Sequence, residues 1–192
     1  MFKDFPSVKG NVLFDAQMSS YDMADLERLM EYVKPERSLE VGSWKGISTA
    51  IIARHSDILY CVDTWKGGTE PEATGMAQEA EEVDVFQVFE HNLRVMGLRD
   101  KVQVLYMNSE HAQKVINKGI FNFIYIDAGH GLEDILMDLN WEDYLAPGGI
   151  IAGHDFDDGH WHVKEQVKKR WPGEELKTFQ HSSIWYIDGD KF

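Results

Sequence analysis

Within the nine residues Glu40-Val41-Gly42-Ser43-Trp44-Lys45-Gly46-Ile47-Ser48, a carboxylate is followed by two glycines. Glycines let a ligand approach the backbone, and an acid opening the loop suits a cationic or hydroxyl-bearing ligand. The pattern is not GxGxxG, whose glycines and helix N-terminus serve a pyrophosphate. Asp63 stands 23 residues beyond Glu40, where its carboxylate can accept hydrogen bonds from both hydroxyls of a ribose. Thr64 and Trp65 follow it, and the Trp65 indole suits an adenine face. The paired acids therefore point to a nucleoside ligand. Asp127 with His130, and the run His154-Asp155-Phe156-Asp157-Asp158-Gly159-His160-Trp161-His162, form a second concentration of functional groups. Imidazoles titrate near neutral pH and ligate borderline metals, so this set suits proton transfer or binding of Zn²⁺, Mn²⁺ or Fe²⁺. Its spacing matches no recognised metal motif, and a solvated loop leading into a helix accounts for the same residues.

These residues need elements to hold them. Apolar spacing predicts helices over Tyr21–Val33, Gly46–His55, Glu79–Met96 (the longest), Glu110–Lys118, Leu132–Leu145 and Val163–Trp171. Extended apolar runs predict strands at Ser38–Val41, Ile58–Val62, Val102–Met107, Phe121–Ile126 and Ile150–Ala152, with Pro147-Gly148-Gly149 as a turn. Thr64–Ala77 reads as a mobile loop. Leu176–Gln180 and Ile184–Ile187 are separated by only His181-Ser182-Ser183, which requires an antiparallel hairpin. Five βα repeats with strands apolar on both faces specify an α/β, Rossmann-like, doubly wound and mostly parallel sheet. Ligands bind beyond the carboxyl ends of such strands. That rule gathers Glu40, Gly42, Asp63, Asn108, Asp127 and Asp155 on one rim.

The 192 residues read as a short N-terminal extension or cap (1–18) and one domain (19–192). Nineteen Lys and Arg against 33 Asp and Glu give a net charge of −14, which disfavours nucleic acid and anionic membrane surfaces as partners. No apolar run reaches bilayer length and the N-terminus lacks a secretory pattern, so a cytoplasmic protein is expected. Cys61, in an apolar strand, reads as a core thiol. Lys164, Lys168, Lys169 and Arg170 read as a solvated helix face.

LEVGSWKGIST, CVDTWKGG, YIDAGH, LAPGG and GHDF, in that order, resemble the class I S-adenosylmethionine-dependent methyltransferases. The likeness is to the small bacterial O-methyltransferases allied to macrocin O-methyltransferase and the cephalosporin hydroxylase-like proteins, and it covers Arg37 to Ile187. It implies a seven-stranded sheet of order 3-2-1-4-5-7-6 with one antiparallel strand from the C-terminal hairpin. It also implies that Gly42 and Gly46 lie under the methionine moiety, with Glu40 near its ammonium and Ser43 supplying hydrogen bonds. Asp63 would hold the ribose and Trp65, after Thr64, would flank adenine. Ser109 would sit near the adenine amino edge and Asp127 by the reacting centre.

Methyl transfer to a hydroxyl is an in-line displacement that needs alignment and removal of a proton. The resemblance leaves two routes open: Mg²⁺ held by Asp127 and Asp155, or His130 or His154 as direct base. His154 departs from the relatives' acid pair at this strand end, and magnesium prefers oxygen. A small polyhydroxylated acceptor, a sugar or glycosylated metabolite, is the expected substrate. The Pro-Pro-aromatic motif of amino methylation is absent from the fourth strand end. A homodimer is compatible with the resemblance, although no coiled coil or apolar stripe is legible. Two rival functions are a non-catalytic nucleoside-binding module and an unrelated metal enzyme using the His154–His162 run.

Overall fold

The structure, a computed structural model, describes residues 18–68, 74–173 and 175–188. Apart from Met18, the N-terminal extension expected from the sequence lies outside them. The elements alternate: α1 (Ser20–Val33), β1 (Arg37–Val41), α2 (Ile47–His55), β2 (Ile58–Asp63), α3 (Thr74–Glu82), α4 (Val85–Val95) and β3 (Val102–Tyr106). They continue with α5 (Ser109–Val115), β4 (Phe121–Ile126), α6 (Leu132–Asp138), β5 (Leu145–Gly153), α7 (Trp161–Arg170), β6 (Leu176–Thr178) and β7 (Trp185–Ile187). The seven strands form one sheet of order β3-β2-β1-β4-β5-β7-β6. β7 runs antiparallel to both neighbours, and the other pairings are parallel. This is the expected Rossmann-like topology.

Period-two alternation divides the core between the two faces of the sheet. Leu39 and Val41 of β1 join Ile124, Trp141, Val167 and Trp185 on one side. On the other side Leu26 and Met30 of α1, Ile51 and Ile52 of α2, and Phe89 and Leu93 of α4 pack over Cys61 and Phe123. Glu40, flanked in register by Cys61 and Tyr125, lies between Leu39 and Val41 and therefore faces the α2 side.

Four predicted boundaries are corrected, each for a local reason. The single helix expected over Glu79–Met96 is two, because Asp84 accepts a hydrogen bond from the Gln87 amide and starts α4 afresh; among the described residues the longest helix is instead the fourteen-residue α1. The expected loop at Thr64–Ala77 gives way to α3 from Thr74. The helix expected to Leu145 ends at Asp138 and tightens to a 3₁₀ segment over Leu139–Tyr144. There Trp141 Nε1 donates to Ser109 Oγ and Tyr144 Oη to the Gln113 carbonyl, tying the segment to α5. Finally, Pro147-Gly148-Gly149 lies within β5 as a bulge: Phe121 pairs with Leu145 but Phe123 with Ile150, and Gly148 takes the left-handed φ of 74°.

The glycine loop after β1 is squeezed by the protein's own backbone. Gly42 has φ 87°, and a Cβ there would lie 1.9 Å from the Asp127 carbonyl oxygen. At Gly46, also left-handed, a Cβ would meet the Phe89 ring at 3.1 Å. Gly148 shares the backbone conformation but faces open space. Thermal unfolding of alanine variants should therefore rank Gly42 as most damaging, at more than about 4 kcal/mol, then Gly46. Gly148 should cost only about 1–2 kcal/mol, the left-handed penalty; equal losses at Gly42 and Gly148 would refute the packing argument.

Candidate active site

A cavity of about 480 Å³ opens along the carboxyl ends of β1 to β4, within the range of small-molecule sites. Seven of the residues singled out in the sequence line it: Gly42, Asp63, Thr64, Asn108, Ser109, Asp127 and His130. Trp44 and Asp138 line it as well, and sequence reasoning missed both as site residues. Trp44 had a signal in its position between the two glycines. Asp138 had none, standing as one acid among several along the predicted helix. The wall carries the carboxylates of Asp63, Glu110, Asp127, Glu133, Asp134 and Asp138, and no Lys or Arg among the described residues.

Asp63 closes the β2 end onto the loop after β1. Its Oδ2 accepts hydrogen bonds from the Ser43 and Trp44 amides, each 2.8 Å, and its Oδ1 accepts one of 2.7 Å from the Trp65 amide. Three of about four lone-pair positions are thus filled, leaving one on Oδ1 for a ligand hydroxyl rather than the two sites expected. Trp44 and Trp65 both take positive φ, 43° and 52°, and the Trp65 indole donates to the Trp44 carbonyl at 2.8 Å. That indole is 3% exposed and packs on Phe86, Phe89 and Tyr106. Trp65 is accordingly a core residue bracing the loop, outside the cavity wall; Trp44 is the aromatic in the wall.

Glu40 is likewise absent from the wall. It is fully buried, with Oε2 accepting from Ser43 Oγ at 2.7 Å and Thr49 Oγ1 at 2.5 Å, and Oε1 from Ser48 Oγ at 2.6 Å. The Cys61 thiol, the core thiol anticipated from the sequence, donates to it at 3.4 Å. Ser43 and Gly46 also sit behind the wall. Instead of meeting a ligand ammonium, Glu40 pins the glycine loop and the first turn of α2 to the sheet. Ser109 reaches the cavity at the N-terminus of α5, whose cap is Asn108.

At the far end of the cavity the carboxyl ends of β4 and β5 bring Asp127, His130, His154 and Asp155 together. Asp155, in the left-handed region at φ 61°, receives His130 Nε2 on Oδ2 at 2.7 Å. Its Oδ1 lies 3.1 Å from His154 Nδ1 and 3.4 Å from His160 Nδ1. The buried His154 ring also reaches back to the first turn of α1, with Nε2 3.0 Å from Ser183 Oγ and 3.4 Å from Asp22 Oδ2. Burial alone would drive the proton off His154, but Asp127, Asp155 and Asp22 outweigh it and hold the imidazolium up to about 11. Burial pushes the Asp127 carboxyl up to about 6, restrained by His154. Burial opposes ionisation of Asp155, yet His130 and His154 hold its carboxyl well below the usual range. Enclosed by Asp22, Asp127 and Asp155, which favour its protonated form, His154 stands outside the cavity wall, which speaks against the role of base expected of it. His130 is the imidazole at the cavity wall.

Residues 39–156 match the family described as methyltransferase domain. The chain belongs to that family. The class I methyltransferase is similar in fold to the O-methyltransferase of Bacillus cereus in complex with SAH, at 17% identity over 92% of this chain and 84% of that one, TM-score 0.61. It is similar also to the O-methyltransferase TomG of Streptomyces achromogenes, involved in tomaymycin synthesis and in complex with SAM, at 13% identity, 92% and 83% coverage and TM-score 0.57. The precorrin 8w decarboxylase of Methanobacterium thermoautotrophicum shares the fold as well, at 18% identity, 95% and 94% coverage and TM-score 0.58. No curated protein matches the methyltransferase chain. A fold hosts more than one chemistry, so the residues must decide.

The residues expected to hold magnesium do not fit it. Asp127 and Asp155 converge, but the third group offered beside them is His154, whose Nδ1 is 3.6 Å from Asp127 Oδ1. A buried imidazole stands where an octahedral magnesium site needs oxygen.

The Glu40 cluster gives the methyltransferase a pH signature. Burial raises this carboxyl from 4.5 to about 7, against four donors that lower it. An acid raised by folding contributes stability that is complete below its unfolded pKa and is lost as pH climbs through the folded one. Relative to Glu40→Gln, the wild type should therefore lose on the order of 3 kcal/mol between about pH 4.5 and pH 7. Chemical denaturation of both proteins across that window checks this; a pH-independent difference would contradict it.

Proposed function

We propose that the chain transfers a methyl group from S-adenosylmethionine to an oxygen of a small polyhydroxylated acceptor. The observation that carries this reading is the acidity of the cavity: six carboxyl groups, two of which burial raises, Asp127 to about 6 and Asp138 to about 7, and no Lys or Arg among the described wall residues. A sulfonium donor bearing an ammonium group is attracted to such a wall, whereas the pyrophosphate of a dinucleotide is repelled. In this reading a ribose hydroxyl takes the remaining lone pair of Asp63 Oδ1, and the adenine lies toward Asn108 and Ser109. The methionine part passes Gly42 toward Asp127. The sulfonium then faces the His130–Asp155 end, where the acceptor hydroxyl meets it in line and passes its proton to a base of that wall, the His130 imidazole or the Asp127 carboxylate. A neutral polyol suits this end, because an anionic acceptor would meet the Asp127 and Glu133 carboxyls with no Lys or Arg in the described wall to offset them.

The bound sulfur compounds of the similar O-methyltransferases lend support, as fold neighbours. Calorimetry tests the donor directly. S-adenosylmethionine and S-adenosylhomocysteine should bind in about the micromolar range and NAD should not. Asp63→Ala should weaken both by about ten- to a hundredfold, the loss of a charged hydrogen bond together with its hold on the loop. NAD binding as tightly as the donor, or Asp63→Ala binding unchanged, would overturn the reading.

A further inference from the structure

Three separate segments bring metal-ligating atoms to one point beside the cavity. His130 comes from the turn after β4, Asp155 from the end of β5, and His160 from the residue capping α7. One ligand atom from each lies within 4.8 Å of the others. The two rings stand 4.6 Å apart, tilted by 55°. The remaining oxygen of Asp155 is engaged by His154 Nδ1 at 3.1 Å. Such outer contacts orient ligands in metal sites.

We propose that His130, Asp155 and His160 form a binding site for a divalent first-row transition ion, zinc or a congener, with an open position toward the cavity. Two imidazoles and one carboxylate are the donor set of open zinc and ferrous sites, and they discriminate against magnesium by softness. The set differs from the Asp127–Asp155 pair considered for magnesium: it takes its nitrogen ligands from His130 and His160 and leaves His154 in its structural place. The open position would face the acceptor hydroxyl, and this consequence rests on the methyl-transfer reading. Binding of the ion does not.

The test uses chelator-stripped full-length protein and cobalt(II) as a spectroscopic stand-in for zinc, with no donor present. One equivalent should bind with the visible bands of a low-coordinate cobalt carrying nitrogen ligands. His130→Ala and His160→Ala should each weaken cobalt and zinc binding at least about tenfold. His162→Ala, in the same sequence run but outside the trio, should bind as the wild type does. S-adenosylhomocysteine affinity, measured on each variant, reports folding and the donor site separately. His160 lies outside the large cavity's wall, so His160→Ala should retain that affinity while losing the metal. Wild-type metal affinity in either His130→Ala or His160→Ala would overturn the site, as would displacement of cobalt by an equal concentration of Mg²⁺.

Discussion

The Glu40 carboxylate, sealed under α2 and ringed by the hydroxyls of Ser43, Ser48 and Thr49, fixes the end of β1 to the start of α2. An unpartnered carboxyl buried this deeply would cost several kcal/mol, so the three hydroxyls are a condition of its being there. The glycine loop above it inherits that rigidity. Gly42 can then press against the Asp127 carbonyl, and the Ser43 and Trp44 amides can reach Asp63. Three strand ends are locked together before any ligand arrives, which is the preorganisation a binding site needs.

A second buried charge organises the opposite end. The His154 imidazolium joins Asp22 of α1 to Asp127 and Asp155 at the β4 and β5 ends. Removing one partner from such a network leaves another charge uncompensated, so its members act as a unit. The cavity thus lies between two devices of different kind: a neutral-donor cage around Glu40 under the donor half, and a charge network around His154 behind the acceptor half. His130 stands at the boundary, in contact with Asp155 and open to the cavity.

Much of this was legible in the sequence because strand ends are punctuated locally. Asp63 and Asp127 end apolar runs, and sheet topology alone then carries them to one rim. What escaped were features set by packing across elements. Glu40 has the residue type of a ligand contact, but period-two alternation turns it toward α2, whose Ser48 and Thr49 consume it. Trp65 has the residue type of an adenine cover, yet a positive φ and the aromatic cluster of Phe86, Phe89 and Tyr106 draw it into the core, leaving Trp44 at the wall. Glycine spacing suggests room for a ligand, but Gly42 is glycine because the β4 loop occupies its Cβ position. The residue type of His154 suggests a base, and three carboxylates from α1, β4 and β5 change that. The break between α3 and α4 hid behind a continuous apolar spacing, which Val83 completes in sequence but not in space, being 41% exposed.

In the proposed reading the carboxylate-lined cavity at the β1 to β4 ends receives the adenosyl donor with its reacting sulfur toward His130 and Asp155. A crystal structure with S-adenosylhomocysteine bound decides this. A ribose hydroxyl on Asp63 Oδ1, the sulfur beside Asp127, and Glu40 untouched beneath the loop are the expected result. Donor density outside this cavity, or the amino acid moiety reaching Glu40 with the Ser48 and Thr49 hydroxyls displaced, would contradict it.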